Sequence, residues 1–367
     1  MNRVLITFPF LNYNEEKVRM RKINPLFVNL FIKTYPKPGF KMKYRISIFL
    51  IFFCFAQQLK AQYFYDDNYY NNALIFEAGI SIGPMNSLTD IGGRVGKGKG
   101  GVKDFNIKST TLSGSIYFSA IYKSFLALRL EGALGRVQSN DSLIKNAKSS
   151  EGSIGRYNRN LSFRSPINEI TLTAEFHPLD FFNVRNPEGY AATISPYVIA
   201  GIGYFHFKPQ ANLNGKWIDL QPLHTEGEGF AEYPNSKQYS LNQINVPLGI
   251  GVKYELSAKF NLRLEYITRV LNTDYLDDVH GTYIDPTVFS KYLSGVQLAD
   301  ALLLNNRGRS DADPLMTTTH PNGIRGNPNN NDSYFTVNVK VGFVIGREKI
   351  NSWSRSQRRQ QACPRFF

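Results

Sequence analysis

The chain has 367 residues, of which 43 are basic and 29 acidic, for a formal net charge of +14. Eleven of the bases lie in residues 1–61 and six follow Gly346, while the stretch between holds 26 bases and 26 acids. The high pI is thus a property of the ends and gives no argument for a nucleic-acid partner.

Near the start, Lys43 and Arg45 precede the apolar run Ile46 to Ala56. That run is shorter than the ~20 residues a membrane-crossing helix needs. Leu59-Lys60-Ala61 ends on a small residue, so a secretory signal over residues 42–61 with cleavage before Gln62 is expected. Cys54 follows the bulky Phe53 and is a poor lipoprotein cysteine. If it leaves with the signal, Cys363 is alone and no intramolecular disulfide forms. A signal belongs at a start, so Met42 is expected to initiate, with residues 1–41 a spurious extension. Residues 62–346 are expected to form the folded body and 347–367 a basic tail.

Eight runs of period-two alternation follow. A period of two means a strand, because successive side chains point to opposite faces. Leu74 to Gly83 sets Phe76, Ala78, Ile80 and Ile82 against Glu77, Gly79 and Ser81. Thr111 to Tyr122, Phe125 to Val137, Asn168 to His177 and Thr193 to Phe207 behave alike, the last least clearly. Ile244 to Leu256 and Phe260 to Val270 form the clearest pair, with Ile244, Val246, Leu248, Ile250, Val252 and Tyr254 on one face. Ser333 to Ile345 is the eighth run. Several reach the roughly 9–11 residues of a transmembrane strand, beyond the ~5–6 common in soluble sheets.

Connections alternate in length. Tyr122 to Ser124 and Ser257 to Lys259 are tight, and Pro178 to Ala192 is intermediate. Pro84 to Thr110, Gln138 to Ile167, Lys208 to Leu241 and Leu271 to Asp332 are long and polar. Together these features predict an all-β fold: an eight-stranded antiparallel up-and-down transmembrane barrel in outer-membrane lipid, with short periplasmic turns and long extracellular loops. Within the last loop, Asp285-Pro286 opens a helical pattern through Phe289, Tyr292, Leu293, Val296 and Leu298. An amphipathic helix closing over its own loop is the expectation there.

The inward face carries Glu77, Arg129, Glu131, Glu169, Glu175, Lys253, Glu255, Arg263, Glu265, Arg269 and Lys340. An eight-stranded barrel has an interior just filled by side chains, and charges in it must be paired. An ion-pair network is therefore expected, and a general porin is not. No cofactor or metal is expected, and no enzymatic activity. His177, His206, His224, His280 and His320 are scattered without metal-ligand spacing. Gly93 to Gly100 nearly spells a phosphate-binding loop but lacks the Ser or Thr after its Lys. Two loop segments, Gly215 to Gly229 and Thr273 to Tyr283, mix apolar anchors with carboxylates. Short-spaced oxygens suit Ca²⁺, but no EF-type pattern is present, and solvated or loop-capping carboxylates are expected instead.

These residues also carry a family resemblance. Ser195-Pro196-Tyr197 with Gly201 to Phe207 is one part of it. The others are the Trp217, Asp219 and Glu226 loop, and Asp274, Asp277, Asp278 and Tyr283 followed by Asp285-Pro286. Together they make the span Leu74 to Ile345 similar to PorG-like outer-membrane barrels. The first 41 residues and the basic tail depart from that pattern. The resemblance implies a non-enzymatic assembly component of the type IX secretion and gliding machinery. Its implied partners are periplasmic ring proteins, a PorK-like lipoprotein and a PorN-like protein. Phe181, Phe182 and Arg185 in the intermediate turn are the candidate partner-facing surface, with anchoring of the aromatics at the membrane interface the equal alternative. The alternative is a general small barrel that stabilises the envelope or binds ligand with its loops.

Overall fold

The computed structural model describes residues 73–92, 107–144, 151–184, 193–257, 259–308 and 323–346. The expected extension, signal and basic tail, the Gly93 to Gly100 loop, Arg185 and His320 lie outside the described residues.

Ten strands are present among them: β1 (Leu74–Leu88), β2 (Thr111–Tyr122), β3 (Leu126–Asn140), β4 (Ser162–Phe176), β5 (Ile194–Phe207), β6 (Gln210–Leu213), β7 (Lys216–Asp219), β8 (Asn242–Glu255), β9 (Phe260–Leu271) and β10 (Ser333–Ile345). Hydrogen bonding runs β3-β2-β1-β10-β9-β8-β5-β4, and β4 pairs back onto β3 along its whole length, Leu126↔Phe176 to Asn140↔Ser162. Every pairing is antiparallel. Eight strands therefore close into a barrel, which leaves no sheet edge unpaired. The short hairpin β6–β7 leans on β4 through Arg164↔Gln210. No helix among the described residues is long and apolar enough to cross a membrane.

Alternation decides which way each residue faces. Ile80, Ile116, Leu128, Leu130, Leu134, Ile170, Leu172, Ile202, Ile250, Leu264 and Val341 are all exposed on the outer wall. Such a continuous apolar wall suits lipid, not water. At the short-turn end aromatic rings mark its edge. Phe76 stacks on Phe118, Phe260 meets Phe343, and Phe125, Phe176, Phe181 and Phe182 form a chain of ring contacts. Inside, glycines make room for large rings. A Cβ at Gly342 would sit 2.5 Å from the Tyr117 hydroxyl, and one at Gly251 2.5 Å from the Tyr197 ring.

Several boundaries differ from the sequence reading. β1 continues past Gly83 to Leu88, β3 past Val137 to Asn140, and β4 begins at Ser162, not Asn168. The connections are also richer than expected. The β3–β4 loop holds helix α1 (Glu151–Arg159), and the β5–β8 loop holds β6–β7. The intermediate turn holds α2 (Pro178–Val184). The helix expected after Asp285 is two pieces, α3 (Phe289–Tyr292) and α4 (Gly295–Asn305), because Leu293 and Ser294 are extended.

The belt predicts a depth-dependent response to charge. Leu172→Arg, near mid-barrel, is expected to lower unfolding free energy in liposomes by about 2–4 kcal/mol, and Leu126→Arg, beside the short turn, by about 0–1 kcal/mol. Equal losses in urea titrations of both variants would contradict a lipid-facing wall.

Candidate functional site

The strands stack three layers inside the barrel. Lowest, at the short-turn end, Ile75, Ile121, Ala127 and Val344 pack together. Beside them Ser195 Oγ donates to Asp180 Oδ2 at 2.6 Å and lies 3.0 Å from His177 Nδ1. The Lys253 ammonium is 3.8 Å from the same Asp180 carboxylate. A serine, a histidine and an aspartate in contact suggest nucleophilic chemistry. All three are at most 1% exposed, however, so no substrate reaches them in this arrangement.

The middle layer is ionic. Arg129 Nη1 lies 2.8 Å from Glu175 and 2.6 Å from Glu265, and its Nε is 3.2 Å from Glu131. Arg263 joins Glu77 at 2.8 Å and Glu175 at 2.7 Å. Lys340 meets Glu131 at 2.5 Å and Glu265 at 3.2 Å. Arg269 pairs with Glu169 at 3.2 Å and donates to Thr336 at 2.6 Å. Tyr117 donates to Glu77, Tyr197 to Glu265 and Asn261 to Glu77, at 2.5–2.7 Å. The eleven inward charges of the sequence reading are thus all buried, and nine of them meet one another in these pairs. Lys253 turns instead to Asp180, and Glu255 is buried at the short-turn end of β8. The tyrosines and asparagines that complete the network were legible only as members of the inward face. A cavity of about 10 Å³ beside Glu169, Arg269, Thr336 and Asn338 has room for about one water.

Above this layer the interior turns apolar. Met85, Val137, Phe163, Ile167, Phe205, Phe207, Leu271 and Tyr334 join Ile91, Tyr239, Leu276 and Val279 of the loops in one cluster. The loops then build a cap with a second core around Phe230, Ile284, Phe289, Ala301 and Leu304. Asp285 starts its helical turn by accepting from Thr287 N at 2.9 Å, with Pro286 in the first position.

Between the two apolar clusters lies an acidic knot. Glu226 accepts from His280 N, Gly281 N and Arg325 at 2.8–3.0 Å. Asp278 accepts from Thr225 and Tyr239 at 2.6 and 2.5 Å. Asp277 accepts from Ile91 N and Val279 N, Asp332 from Leu276 N, and Asp274 meets His280 at 2.9 Å. These carboxylates do cap loops, but they are buried, not solvated. Asp90, Asp141, Asp332, Arg159 and Arg325 belong to the same knot and escaped the sequence reading. They come from loops far apart in the chain, so no local spacing links them. Trp217 and Asp219 stand apart on the hairpin, against Arg164 and Lys208. Tyr283 is buried beside the knot, near Arg325 and Arg159. Phe182 is exposed on α2, whereas Phe181 sits among aromatic rings. Among the described residues no three His, Cys, Asp or Glu side chains are placed to hold a metal.

A model described as "Domain of unknown function (DUF6089)" matches residues 64–287. No curated protein matches the sequence. Among solved structures the chain is similar to the attachment invasion locus protein Ail of Yersinia pestis, at 9% identity and TM-score 0.31, over 74% of this chain and 99% of Ail. Neisserial surface protein A gives 9% and 0.31 over 74% and 97%. OprG from Pseudomonas aeruginosa gives 11% and 0.28 over 74% and 95%. The barrel itself follows from this chain's own strand pairing.

The knot has a pH signature. Burial raises Asp274 to about 7 and Asp278 to about 6, although His280 and Arg325 oppose it. Burial also holds Asp277, Asp332 and Glu228 well above the ordinary carboxylate range. A carboxyl whose folded pKa is raised binds more protons folded than unfolded, so its contribution is complete below about pH 4 and falls away as pH climbs through the folded value. His280, raised by its bond to Asp274, acts in the same direction. Protection of the Thr273 to Val279 amides, judged from their exchange rate relative to the free-peptide rate at each pH, is expected to fall as pH rises from about 4 to above 7, and Asp274→Asn to flatten that fall. A cap that tightens with rising pH would contradict the assignment.

Proposed function

The chain belongs to the DUF6089 family, and we propose that it is an exported, non-enzymatic outer-membrane barrel that works as an anchor and assembly component, not as a pore. The observation that supports this most is the sealed interior, where Arg129 and Arg263 each bridge carboxylates from different strands at full burial. Such cross-strand ties brace the wall and occupy the space a solute would need. The outer wall makes membrane lipid its first partner.

The finer reading is a role in type IX secretion, holding a periplasmic ring of PorK-like lipoprotein and PorN-like protein. It rests on the resemblance carried by Trp217, Asp219 and Glu226 and by Asp274, Asp277, Asp278, Tyr283, Asp285 and Pro286. The short-turn end offers a docking surface suited to it, since Leu179 and Phe182 are exposed on α2. A second reading, envelope stability or ligand binding by loops, draws on the packed cap.

Pull-down of the tagged full chain from native membranes separates the two. Ring proteins are expected with wild type, with recovery at least about tenfold lower for Phe182→Asp, the scale of losing one apolar anchor. Deletion is expected to block cargo export. Normal export in the deletion strain, with no ring protein recovered, would remove the secretion role and leave the envelope role.

A further inference from the structure

We propose that the outer face of β3 and β4, just above the apolar belt, binds the phosphate of an anionic lipid headgroup in the surrounding leaflet; this rests on the outer-membrane reading above. The register places the site. Leu134↔Asn168 is the last pair with a lipid-facing leucine, Arg136↔Pro166 follows it on the same face, and Gln138↔Arg164 comes next. Two residues along a strand rise ~7 Å, and four rise ~13 Å. The polar layer on each side of a ~30 Å hydrocarbon core is about 5–7 Å deep. A strand tilt of ~40° shortens these rises to about 5 and 10 Å along the membrane normal, so Arg136 stands at headgroup depth and Arg164 just beyond it, within reach of the same headgroup by its long side chain.

Arg136 and Arg164 stand together there, and Arg307 reaches the same end of β4 through Ser162. Arg164 donates through Nε to Gln210 Oε1 at 2.9 Å, and its guanidinium lies 3.8 Å from the centre of the Trp217 ring. Gln210 is itself fixed by donating to Asp219 at 2.7 Å. Arg307 donates to Ser162 Oγ and to the Asn212 carbonyl, each at 3.2 Å, and Ser162 shares the outer face of β4 with Arg164. Arg136 stands close enough to Arg164 for the two charges to repel.

None of the three has a carboxylate partner among the described residues. Asp219, on the neighbouring hairpin, is occupied by Lys208 at 2.7 Å. The contrast with the interior is direct, because Arg129, Arg263 and Arg269 each hold a glutamate. The hairpin thus fixes a group of like charges and supplies no counter-charge. Planar guanidinium forks match phosphate oxygens two at a time. A stacked fork keeps its edge free and loses little freedom on binding. The apolar wall of Leu134, Ile170 and Tyr204 directly below suits acyl chains, so an amphiphile fits where a free anion would use only half of the surface.

The test is native mass spectrometry of the full chain, purified in mild detergent, with equimolar bisphosphorylated lipid A, dephosphorylated lipid A or inorganic phosphate. Wild type is expected to retain the phosphorylated lipid. The Arg136→Gln/Arg164→Gln variant is expected to retain it at least about tenfold less, since two charge-assisted contacts are lost, while keeping the heat-modifiable mobility of a folded barrel. Arg164→Lys, which keeps the charge but loses the fork and the stacking, should fall between them. Equal retention by the folded double variant, equal binding of dephosphorylated lipid A, or displacement by inorganic phosphate at the lipid's own concentration would each overturn the proposal. Fractionation of wild type away from the outer membrane would instead overturn the reading beneath it, whatever the spectra show.

Discussion

Charge taken out of water must be matched, and in a barrel of eight strands the interior leaves no alternative. The lumen is too narrow for bulk solvent, so each inward Arg, Lys and Glu is desolvated when the wall closes. Removing one partner from such a pair strands the other at a cost of several kcal/mol. Matching is therefore a condition of closure, and it is met in three dimensions. Arg129 on β3 reaches Glu175 on β4 and Glu265 on β9; Arg263 on β9 reaches Glu77 on β1 and Glu175 on β4. All but the first of these ties, whose strands pair directly, cross the lumen and hold together strands that share no backbone hydrogen bonds. The glycines at 251 and 342 belong to the same constraint, because the tyrosines that cover the ionic layer need their volume.

The cap obeys a different rule. It is rich in acid and poor in base, and its carboxylates satisfy loop N–H groups in the way side chains cap helix ends. Burial favours the protonated form of Asp274, Asp277, Asp278 and Asp332, so the cap's order is tied to pH where the lumen's is tied to geometry. The headgroup level differs again. There, in the proposed lipid site, Arg136, Arg164 and Arg307 have no carboxylate partner among the described residues. One chain thus places charge in three settings, and only in the first is the balance internal.

The strands were largely legible in the sequence, and their misread ends are instructive. Within the lipid belt the outside is apolar and the inside polar. Above it the pattern inverts: Phe163 and Ile167 point in, while Ser162 and Arg164 point out toward headgroups and water. A reader following apolar-out alternation stops at Asn168, where the environment changes but the strand does not. The same inversion hid the last residues of β1 and β3. The helices α1 and α2 and the hairpin β6–β7 were missed because short loop elements depend on tertiary packing more than on local pattern. The break between α3 and α4 was missed for a related reason, since Leu293 and Leu298 pack into one core across a bend that helical spacing does not reveal.

The sequence by itself determined the number of barrel strands, the apolar face, the alternation of short and long connections, and which charges share the inner face. Each follows from the period of two and from composition, both local properties. Which glutamate meets which arginine was decided only by closure, because β3–β4 pairing and barrel stagger set the heights at which distant residues meet. The acidic knot likewise exists only in the folded molecule. Asp90, Asp141, Glu226, Asp277 and Arg325 become neighbours when four loops fold over one opening, and no separation along the chain encodes that distance.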